Sequence, residues 1–191
     1  MTQWFASDHH FWHENIISFC DRPFSNAEEM NERLIEWHNE FVKPSDHVTF
    51  LGDVTMRRGS AGGTDAQNLI TLIKRMNGHK RLILGNHDHF PPKVYIEAGF
   101  EKIYGAHRIG SLMFTHIPVH PSSLSSVKAN VHGHIHNNQD GAFPPVMKID
   151  KVSQVVRWVP YVNISLEVTN YHPVTLEWIE KQVEGEEPSS T

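Results

Sequence analysis

The chain has 191 residues, of which 39% are hydrophobic and 20% are charged, and its formal net charge is −5. This length and composition are typical of one globular domain with a sizeable core. The modest negative charge gives no electrostatic basis for tight binding to long nucleic acid. No apolar run approaches the roughly 20 residues that a membrane-spanning helix needs, so we expect no membrane partner.

The chain contains a single cysteine, Cys20, so no disulfide can form within it. A reducing compartment is therefore expected. Residues 1–5 contain no basic stretch leading into a long apolar segment, so we expect no signal peptide and a cytoplasmic location.

The first half of the chain alternates predicted strands and helices. Strands are expected over residues 4–7 and 47–51, with a short helix over residues 15–20 between them. Ser25 and Glu28 have the spacing of a capping box, which predicts that a longer amphipathic helix begins there. This alternation is typical of α/β architecture.

A second long helix is predicted after a glycine-rich basic loop. Thr64 and Gln67 are expected to cap this helix, and Gly78 is expected to close it. The next strand is predicted over residues 81–84, and a short helix over residues 93–98 follows it.

The second half of the chain is predicted to be richer in strands. Strands are expected over residues 100–104, 107–109, 112–115, 129–132 and 155–166. Pro160 interrupts the last of them, which indicates a sheet edge or a bend. A polar surface excursion is expected over residues 137–145, and a last helix is expected to end near Lys181. We therefore expect one domain over residues 1–182 and a disordered acidic tail over residues 183–191.

Five short segments place metal-binding side chains directly after predicted strands. They are Asp8-His9-His10, Gly52-Asp53, Gly85-Asn86-His87-Asp88, Thr115-His116 and Gly133-His134-Ile135-His136. Open α/β sheets bind ligands beyond the carboxyl ends of their strands, so these segments are expected to build one pocket.

The donor types in these segments indicate transition-metal chemistry. The candidate ligands are Asp8, His10, Asp53, Asn86, His116, His134 and His136. This mixture of carboxylate, imidazole and amide donors suits Mn, Fe, Zn, Ni or Co better than Ca or Mg. Seven candidate ligands are more than one tetrahedral site needs, and they match two metals that share a bridging group. The chain has no paired cysteines, which excludes a structural zinc finger.

Spacing within the segments is expected to direct the side chains. In an extended chain, side chains two residues apart face the same side, which would bring Asp8 and His10 together and likewise His134 and His136. His9 would then point away and take either a structural role or a role in orienting a ligand. The glycines that precede the ligands are expected to permit tight turns and close backbone approach; they are Gly52, Gly85 and Gly133.

Taken in order, the five segments resemble the motifs of the calcineurin-like metallophosphoesterases. Further positions resemble the small prokaryotic and phage-encoded branch of that family; they are Phe11, His13, Asn15-Ile16-Ile17 and Arg22-Pro23-Phe24. The resemblance covers nearly the whole chain. It implies an α/β sandwich in which two mixed sheets pack face to face with helices outside.

The resemblance also implies roles for individual residues. Asp8, His10 and His136 would hold a first metal, Asn86, His116 and His134 a second, and Asp53 would bridge both. His87 would act as the general acid, with Asn86 also near the phosphate. The implied cofactors are two divalent transition-metal ions, with manganese as the first expectation. The implied reaction is hydrolysis of small or nucleotide-like phosphodiesters or phosphomonoesters by a metal-bridging hydroxide.

One departure from the family separates this chain from the phosphoprotein phosphatases. Those enzymes carry a second aspartate three residues after the bridging one, where this chain has Met56, so a protein-phosphatase activity is doubtful.

Three neighbouring positions are candidate substrate contacts, each with a structural alternative. Arg57 would contact phosphate or solvate its loop, Trp12 would stack on a base or shield the metals, and His13 would face the pocket or cap a helix. Arg22 is expected only to pin a loop.

Two alternative functions remain open from the sequence. One is a nuclease or nucleic-acid end-processing phosphatase of the same fold, against which the net charge counts. The other is a non-catalytic interaction scaffold, against which the presence of all seven ligands and His87 counts. The preference for monoesters or diesters, the native metals and the oligomeric state are left undecided.

Overall fold

A computed structural model describes residues 1–138, 146–149 and 156–185 of the chain. The strands are β1 (Gln3–Ala6), β2 (His47–Phe50), β3 (His79–Ile83), β4 (Phe100–Tyr104), β5 (Ala106–Ile109), β6 (Leu112–Thr115), β7 (Ala129–His132), β8 (Val146–Ile149), β9 (Val156–Val159), β10 (Tyr161–Asn163) and β11 (Val174–Thr175). The helices are α1 (Glu14–Phe19), α2 (Ala27–Phe41), α3 (Thr64–Ile73), α4 (Pro92–Ala98) and α5 (Leu176–Gly185), with a 3-10 turn over Pro121–Leu124.

The strands form two mixed sheets. The first has the order β11-β1-β2-β3-β4, in which only the β11–β1 pair is antiparallel. The second has the order β10-β7-β6-β5, in which only the β5–β6 pair is antiparallel. Strands β8 and β9 pair separately as an antiparallel ribbon.

Alternation along the strands divides the core into two layers. Phe5 of β1 points toward the second sheet and stacks on Phe114 of β6, with their ring centroids 4.6 Å apart. Ala6, the next residue of β1, points to the other face of the first sheet. There it packs in one cluster with Phe50, Leu82 and buried residues of helices α2 to α4. The predicted sandwich of two mixed sheets flanked by helices is therefore confirmed. No helix in the described part of the chain combines the length and hydropathy required to cross a bilayer.

The two predicted helix caps were each wrong by one residue. Helix α2 is capped by Asn26, whose side chain accepts a hydrogen bond from the backbone N–H of Glu29 at 2.8 Å. The Glu29 carboxylate in turn accepts from the backbone N–H of Ser25 at 2.7 Å. Asn is as good an N-cap as Ser, so the box pattern alone could not choose between them. At α3 the N-cap is Gly63, which makes no side-chain bond, and Thr64 is the first helical residue.

The carboxyl-terminal region departs from the prediction in two ways. A short strand, β11, precedes the last helix, and it pairs with β1. Helix α5 continues to Gly185, so the first three residues of the predicted tail are helical and only residues 186–191 lie outside the described part. Most of the predicted surface excursion, residues 139–145, also lies outside it. As expected, Pro160 separates two strands, and β10 lies at a sheet edge.

One histidine of helix α2 lies in the core. His38 of α2 is only 2% exposed, and its Nε2 contacts the backbone oxygen of Asn77 at 3.0 Å, so that nitrogen carries the hydrogen. Burial outweighs this hydrogen bond and lowers the pKa of His38 to about 4.

Acid should therefore destabilise the fold through His38. The unfolded chain takes up this proton below pH 6.5, whereas the folded chain does so only near pH 4, so stability falls as the pH falls through this window. At pH 5 the loss from this one group is about 2 kcal/mol. Urea unfolding at pH 7 and pH 5 should show a smaller loss in His38→Gln than in the wild type. An equal loss of unfolding free energy in both proteins would contradict the lowered pKa of His38. The control is His120→Gln, which replaces an exposed histidine.

Candidate metal centre

The five ligand segments occupy loops at one end of the two sheets. They follow the carboxyl ends of β1, β2 and β3 in the first sheet and of β6 and β7 in the second. Strands β1 to β3 run parallel, as do β6 and β7, so the loops of each sheet emerge at one edge. The face-to-face packing of the sheets then brings the two sets of loops together.

The side chains form two groups of potential ligands. Asp8, His10 and His136 form the first group, and Asp53, His116 and His134 form the second; within each group the ligand atoms lie within 4.8 Å of one another. Asn86 joins the second group, since its Oδ1 lies 2.9 Å from Nε2 of His116. The structure therefore brings together all seven residues that the sequence singled out.

Asp53 lies between the two groups. Its Oδ2 is 3.5 Å from Nε2 of His10 and 3.2 Å from Nε2 of His116. Its other oxygen, Oδ1, accepts the backbone N–H of His87 at 2.8 Å. Burial alone would raise the pKa of Asp53, but the hydrogen bond and charge of His116, with the backbone hydrogen bond from His87, lower it to about 2. Asp53 is thus an anion placed where one carboxylate can serve both groups.

The backbone of the ligand residues differs from the extended chain that the spacing argument assumed. Strand β1 ends at Ala6, and five ligand residues have positive φ angles: Asp8 (62°), His10 (53°), Asp53 (50°), His134 (72°) and His136 (50°). The extended-strand premise was therefore wrong, although His9 does point away and packs on Phe11 and Phe50. Non-glycine residues seldom adopt this region, so the ligand loops hold strained backbone where their donors converge.

Two glycines are required by close contacts beside the carboxylates. A Cβ on Gly85 would lie 2.2 Å from Oδ1 of Asp53, and a Cβ on Gly133 would lie 2.2 Å from Oδ2 of Asp8. Both distances are far below van der Waals contact. The backbone N–H of His134, which follows Gly133, donates to that same Asp8 oxygen at 3.0 Å. The missing side chains therefore let the chain approach each carboxylate directly.

Hydrogen bonds from the second ring nitrogen fix the orientation of two histidines. Nδ1 of His116 lies 2.7 Å from the backbone oxygen of Leu51, so this nitrogen carries the hydrogen. Nδ1 of His136 lies 3.0 Å from the carboxylate of Glu167. In both rings Nε2 is left facing the other ligands, which is the arrangement that metal-binding histidines generally adopt.

Glu167 is a site residue that the sequence reasoning missed. It accepts two hydrogen bonds from Arg22, at 2.6 and 2.9 Å, and Arg22 also donates to the backbone oxygens of Asp8 and His9 at 2.7 and 2.9 Å. Burial would raise the pKa of Glu167, but the His136 hydrogen bond and the Arg22 charge lower it to about 2. As expected, Arg22 holds a loop in place. That loop follows β1 and carries the candidate ligands Asp8 and His10. Glu167 lies in a turn after β10 and follows Asn163-Ile164-Ser165-Leu166, so it does not share the pattern of the five segments.

Asp88 holds two of the ligand loops together. Its carboxylate accepts the backbone N–H groups of Gly85, Asp53 and Val54 at 2.8, 2.9 and 3.0 Å. Desolvation raises the pKa of Asp88 to about 6. This residue therefore orients the loops after β2 and β3.

The donor set fits a cation. Nε2 of His10 is buried without a hydrogen-bond partner among the described residues, and it faces carboxylate oxygens of Asp53 and Asp8 at 3.5 and 3.9 Å. Burial lowers the pKa of His10 well below its usual value, so the ring is neutral. A buried nitrogen that faces two carboxylates is costly to leave unpaired, and a divalent cation among these atoms would satisfy all three.

The three candidate substrate contacts have different surroundings. The guanidinium of Arg57 lies over the ring of Trp12, 4.8 Å from its centroid, and also pairs with Asp65. These contacts engage both Arg57 and Trp12 within the protein. His13 makes no capping bond at the start of α1, and its Nδ1 lies 3.3 Å from Nδ1 of His10, so it faces the pocket. Contact of any of the three with a substrate stays a prediction.

His87 lies at the mouth of the site. Its side chain is 36% exposed, Nε2 is 4.0 Å from Oδ2 of Asp53, and its ring centroid is 5.5 Å from that of His10. The ring is thus open to solvent on one side and faces the ligand residues on the other. This placement allows a molecule bound at the ligands to contact the imidazole.

The solved structures that resemble the chain include the following two. The protein of unknown function AQ665 from Aquifex aeolicus is 23% identical and superposes with a TM-score of 0.68 over 95% of this chain and 98% of its own. A novel archaeal phosphodiesterase is 16% identical, with a TM-score of 0.43 over 89% of this chain and 88% of its own. The likeness to AQ665 shows that the two proteins share a fold.

Comparison with known sequences gives two informative relatives, whereas no protein-family model matches the chain. The Gene 66 protein of Mycobacterium phage D29 is 38% identical over 96 residues, which span 50% of this chain and 44% of that protein. The phage-type branch stays a prediction, since this match covers only half of the chain. The protein MJ1445 of Methanocaldococcus jannaschii is 36% identical over 178 residues, which span 93% of this chain and 89% of that protein. The chain therefore belongs to the same protein family as MJ1445.

Proposed function

We propose that this protein is a binuclear metal-dependent phosphoesterase that hydrolyses small or nucleotide-like phosphodiesters or phosphomonoesters. The observation that carries the proposal is the position of Asp53, with one oxygen 3.5 Å from His10 and 3.2 Å from His116. A single carboxylate between two groups of ligands is the arrangement that a two-metal site requires.

The residues of the two groups would hold the metals. Asp8, His10 and His136 would bind one cation, and Asn86, His116 and His134 would bind the other, with Asp53 shared. When bound, such cations stabilise charge on phosphate oxygens and make a water molecule more acidic. The nitrogen-rich donor set favours a transition metal, and manganese is our first expectation.

The remaining residues of the site would position the reactants. The backbone N–H of His87 bonds to Asp53, which holds the backbone of His87 beside the shared carboxylate. From there the imidazole would donate a proton to the departing alcohol oxygen. The amide of Asn86, on the same loop, would lie near the phosphate. Asp88, Glu167 and Arg22 would keep the ligand loops in place without touching the substrate.

The proposal is tested by loading the protein with Mn, Co, Ni or Zn and measuring both bound metal and turnover. Elemental analysis should give two metal ions per chain. The loaded protein should hydrolyse bis-p-nitrophenyl phosphate or p-nitrophenyl phosphate, and removal of the metals with a chelator should abolish turnover. Protein that holds two metals but hydrolyses neither ester with any of these metals would overturn the proposal and favour a binding role.

A further inference from the structure

The turn between β1 and α1 places a second histidine against the ligand His10. His13 follows three residues later in the sequence, and its backbone N–H donates to the carbonyl oxygen of His10 at 3.0 Å. His10 and Trp12, both within this turn, have positive φ angles of 53° and 60°. The chain therefore doubles back, and the centroid of the His13 ring lies 5.2 Å from that of the His10 ring.

Contacts with neighbouring elements hold this turn in place. The backbone N–H of Phe11 donates to a carbonyl oxygen of the loop after β2 at 2.9 Å. The backbone N–H of Trp12 donates to Oδ1 of Asn31 on α2 at 3.0 Å. The ring of Phe19, at the end of α1, lies edge-on to that of His13, with centroids 6.3 Å apart. The folded chain thus fixes the position of His13 without help from a metal.

His13 occupies the N-cap position of α1 but does not cap the helix. Its side chain makes no hydrogen bond to the first turn of α1. Ser, Thr, Asp and Asn are preferred at this position because their side chains accept a backbone N–H there. The hydrogen-bond partner that the described residues offer to Nδ1 of His13 is Nδ1 of His10, at 3.3 Å. A local preference broken in this way indicates that the side chain serves another purpose.

The contact between the two Nδ1 atoms has two possible directions, and only one of them is compatible with a bound metal. One of the two nitrogens carries the hydrogen and the other accepts it. Nε2 of His10 faces the carboxylates of Asp53 and Asp8 and is the nitrogen that would bind a cation. A neutral imidazole that binds metal through Nε2 keeps its hydrogen on Nδ1. His10 is then the donor, and Nδ1 of His13 is the acceptor.

This acceptor gives His10 the kind of partner that two other candidate ligands have. Nδ1 of His116 contacts a backbone carbonyl oxygen, and Nδ1 of His136 contacts the carboxylate of Glu167. His10 is only 2% exposed, so bulk water has little access to its ring. Without His13, the hydrogen on Nδ1 of His10 would lose its acceptor, and an unpaired buried donor is costly.

We propose that His13 is a positioning residue of the candidate metal centre: its Nδ1 accepts the Nδ1 hydrogen of His10, and this bond orients His10 toward the first cation. The role is separate from any contact of His13 with a substrate, because it uses the nitrogen that faces His10. The inference rests on the metal centre of the proposed function, although it does not require that an ester be hydrolysed.

The test measures the two dissociation constants for Co²⁺ in the wild type, His13→Ser and His13→Asn. The carbonyl oxygen of asparagine lies close to the position of Nδ1 and can accept the same hydrogen, whereas the serine hydroxyl is too short to reach it. Both residues are good N-caps, so the comparison cancels any effect on α1. In His13→Ser one Kd should rise about tenfold to a hundredfold, and the other should not change. In His13→Asn both should stay close to those of the wild type.

Proton NMR of the Co-loaded protein links the change to the outer hydrogen of a bound histidine. These hydrogens resonate far outside the diamagnetic range, and they are observed only while their exchange with water is slow. One such resonance should be lost in His13→Ser and retained in His13→Asn. The control is His89→Ala, which removes an exposed imidazole from the loop after β3 and should keep every resonance and both Kd values.

Two results would overturn the inference. One is a His13→Ser protein with both Kd values of the wild type. The other is an equal loss of affinity in His13→Ser and His13→Asn, which would assign the effect to the packing of the imidazole ring instead of its hydrogen bond. Unfolding scans should show that neither variant melts below the wild type, because both gain a capping side chain.

Failure of the proposed function gives a different result. A wild type that binds two metals but hydrolyses neither p-nitrophenyl ester would overturn the phosphoesterase function, and the comparison of His13→Ser with His13→Asn would still decide the role of His13. A wild type that binds no cation would overturn both.

Discussion

Replacing His87 with alanine should slow hydrolysis in proportion to the basicity of the leaving group. A p-nitrophenolate leaves without a proton, so its diester should lose little activity in the variant. A diester that releases phenol needs protonation, so its kcat should fall by about a hundredfold or more. The measurement is kcat across a series of aryl diesters with increasingly basic leaving groups.

The control for this experiment is His89→Ala, two residues further along the same loop. His89 is exposed, and its ring centroid lies 6.2 Å from that of His87. The control should keep the wild-type dependence on the leaving group. Elemental analysis should show that both variants retain their metals, because His87 is not among the expected ligands. A uniform loss across all esters in His87→Ala would assign the residue to substrate binding and remove it as the general acid.

Replacing Asp53 with asparagine should lower both metal content and turnover. Asparagine tolerates the positive φ of 50° at this position and can still accept the His87 N–H, so the loop should keep its shape. It removes the negative charge that the two groups of ligands share. We expect fewer than two metals per chain and a loss of about a thousandfold in kcat/KM for bis-p-nitrophenyl phosphate.

The matching control is Glu177→Gln, which makes the same change from carboxylate to amide at an exposed position on α5. It should retain two metals and full activity. Circular dichroism should show that Asp53→Asn is folded, so that any loss is assigned to the site. An Asp53→Asn protein that binds two metals with wild-type affinity would show that Asp53 does not bridge them.

The sequence predicts the layered fold because each strand and helix has its own local pattern. Phe5 and Ala6 on β1 point to different cores because side chains alternate along a strand, and the apolar run of α3 is buried as its period requires. The short strand β11 could not be predicted, because two residues carry no period. The cap of α2 was displaced by one residue because Ser25 and Asn26 are both good caps.

For the candidate site, the amino-acid sequence by itself determined which residues supply donors, since each ligand type directly follows an apolar strand. The tertiary structure alone decided how these donors are held. Five ligand residues adopt left-handed backbone, which packing and hydrogen bonds must impose because it is locally unfavourable. Glu167 makes hydrogen bonds with His136, 31 residues away in the sequence, and with Arg22, 145 residues away. Such long-range contacts depend on how the strands pack and not on the local sequence pattern. Likewise, only the folded chain places the exposed Phe19 beside His134 and His136.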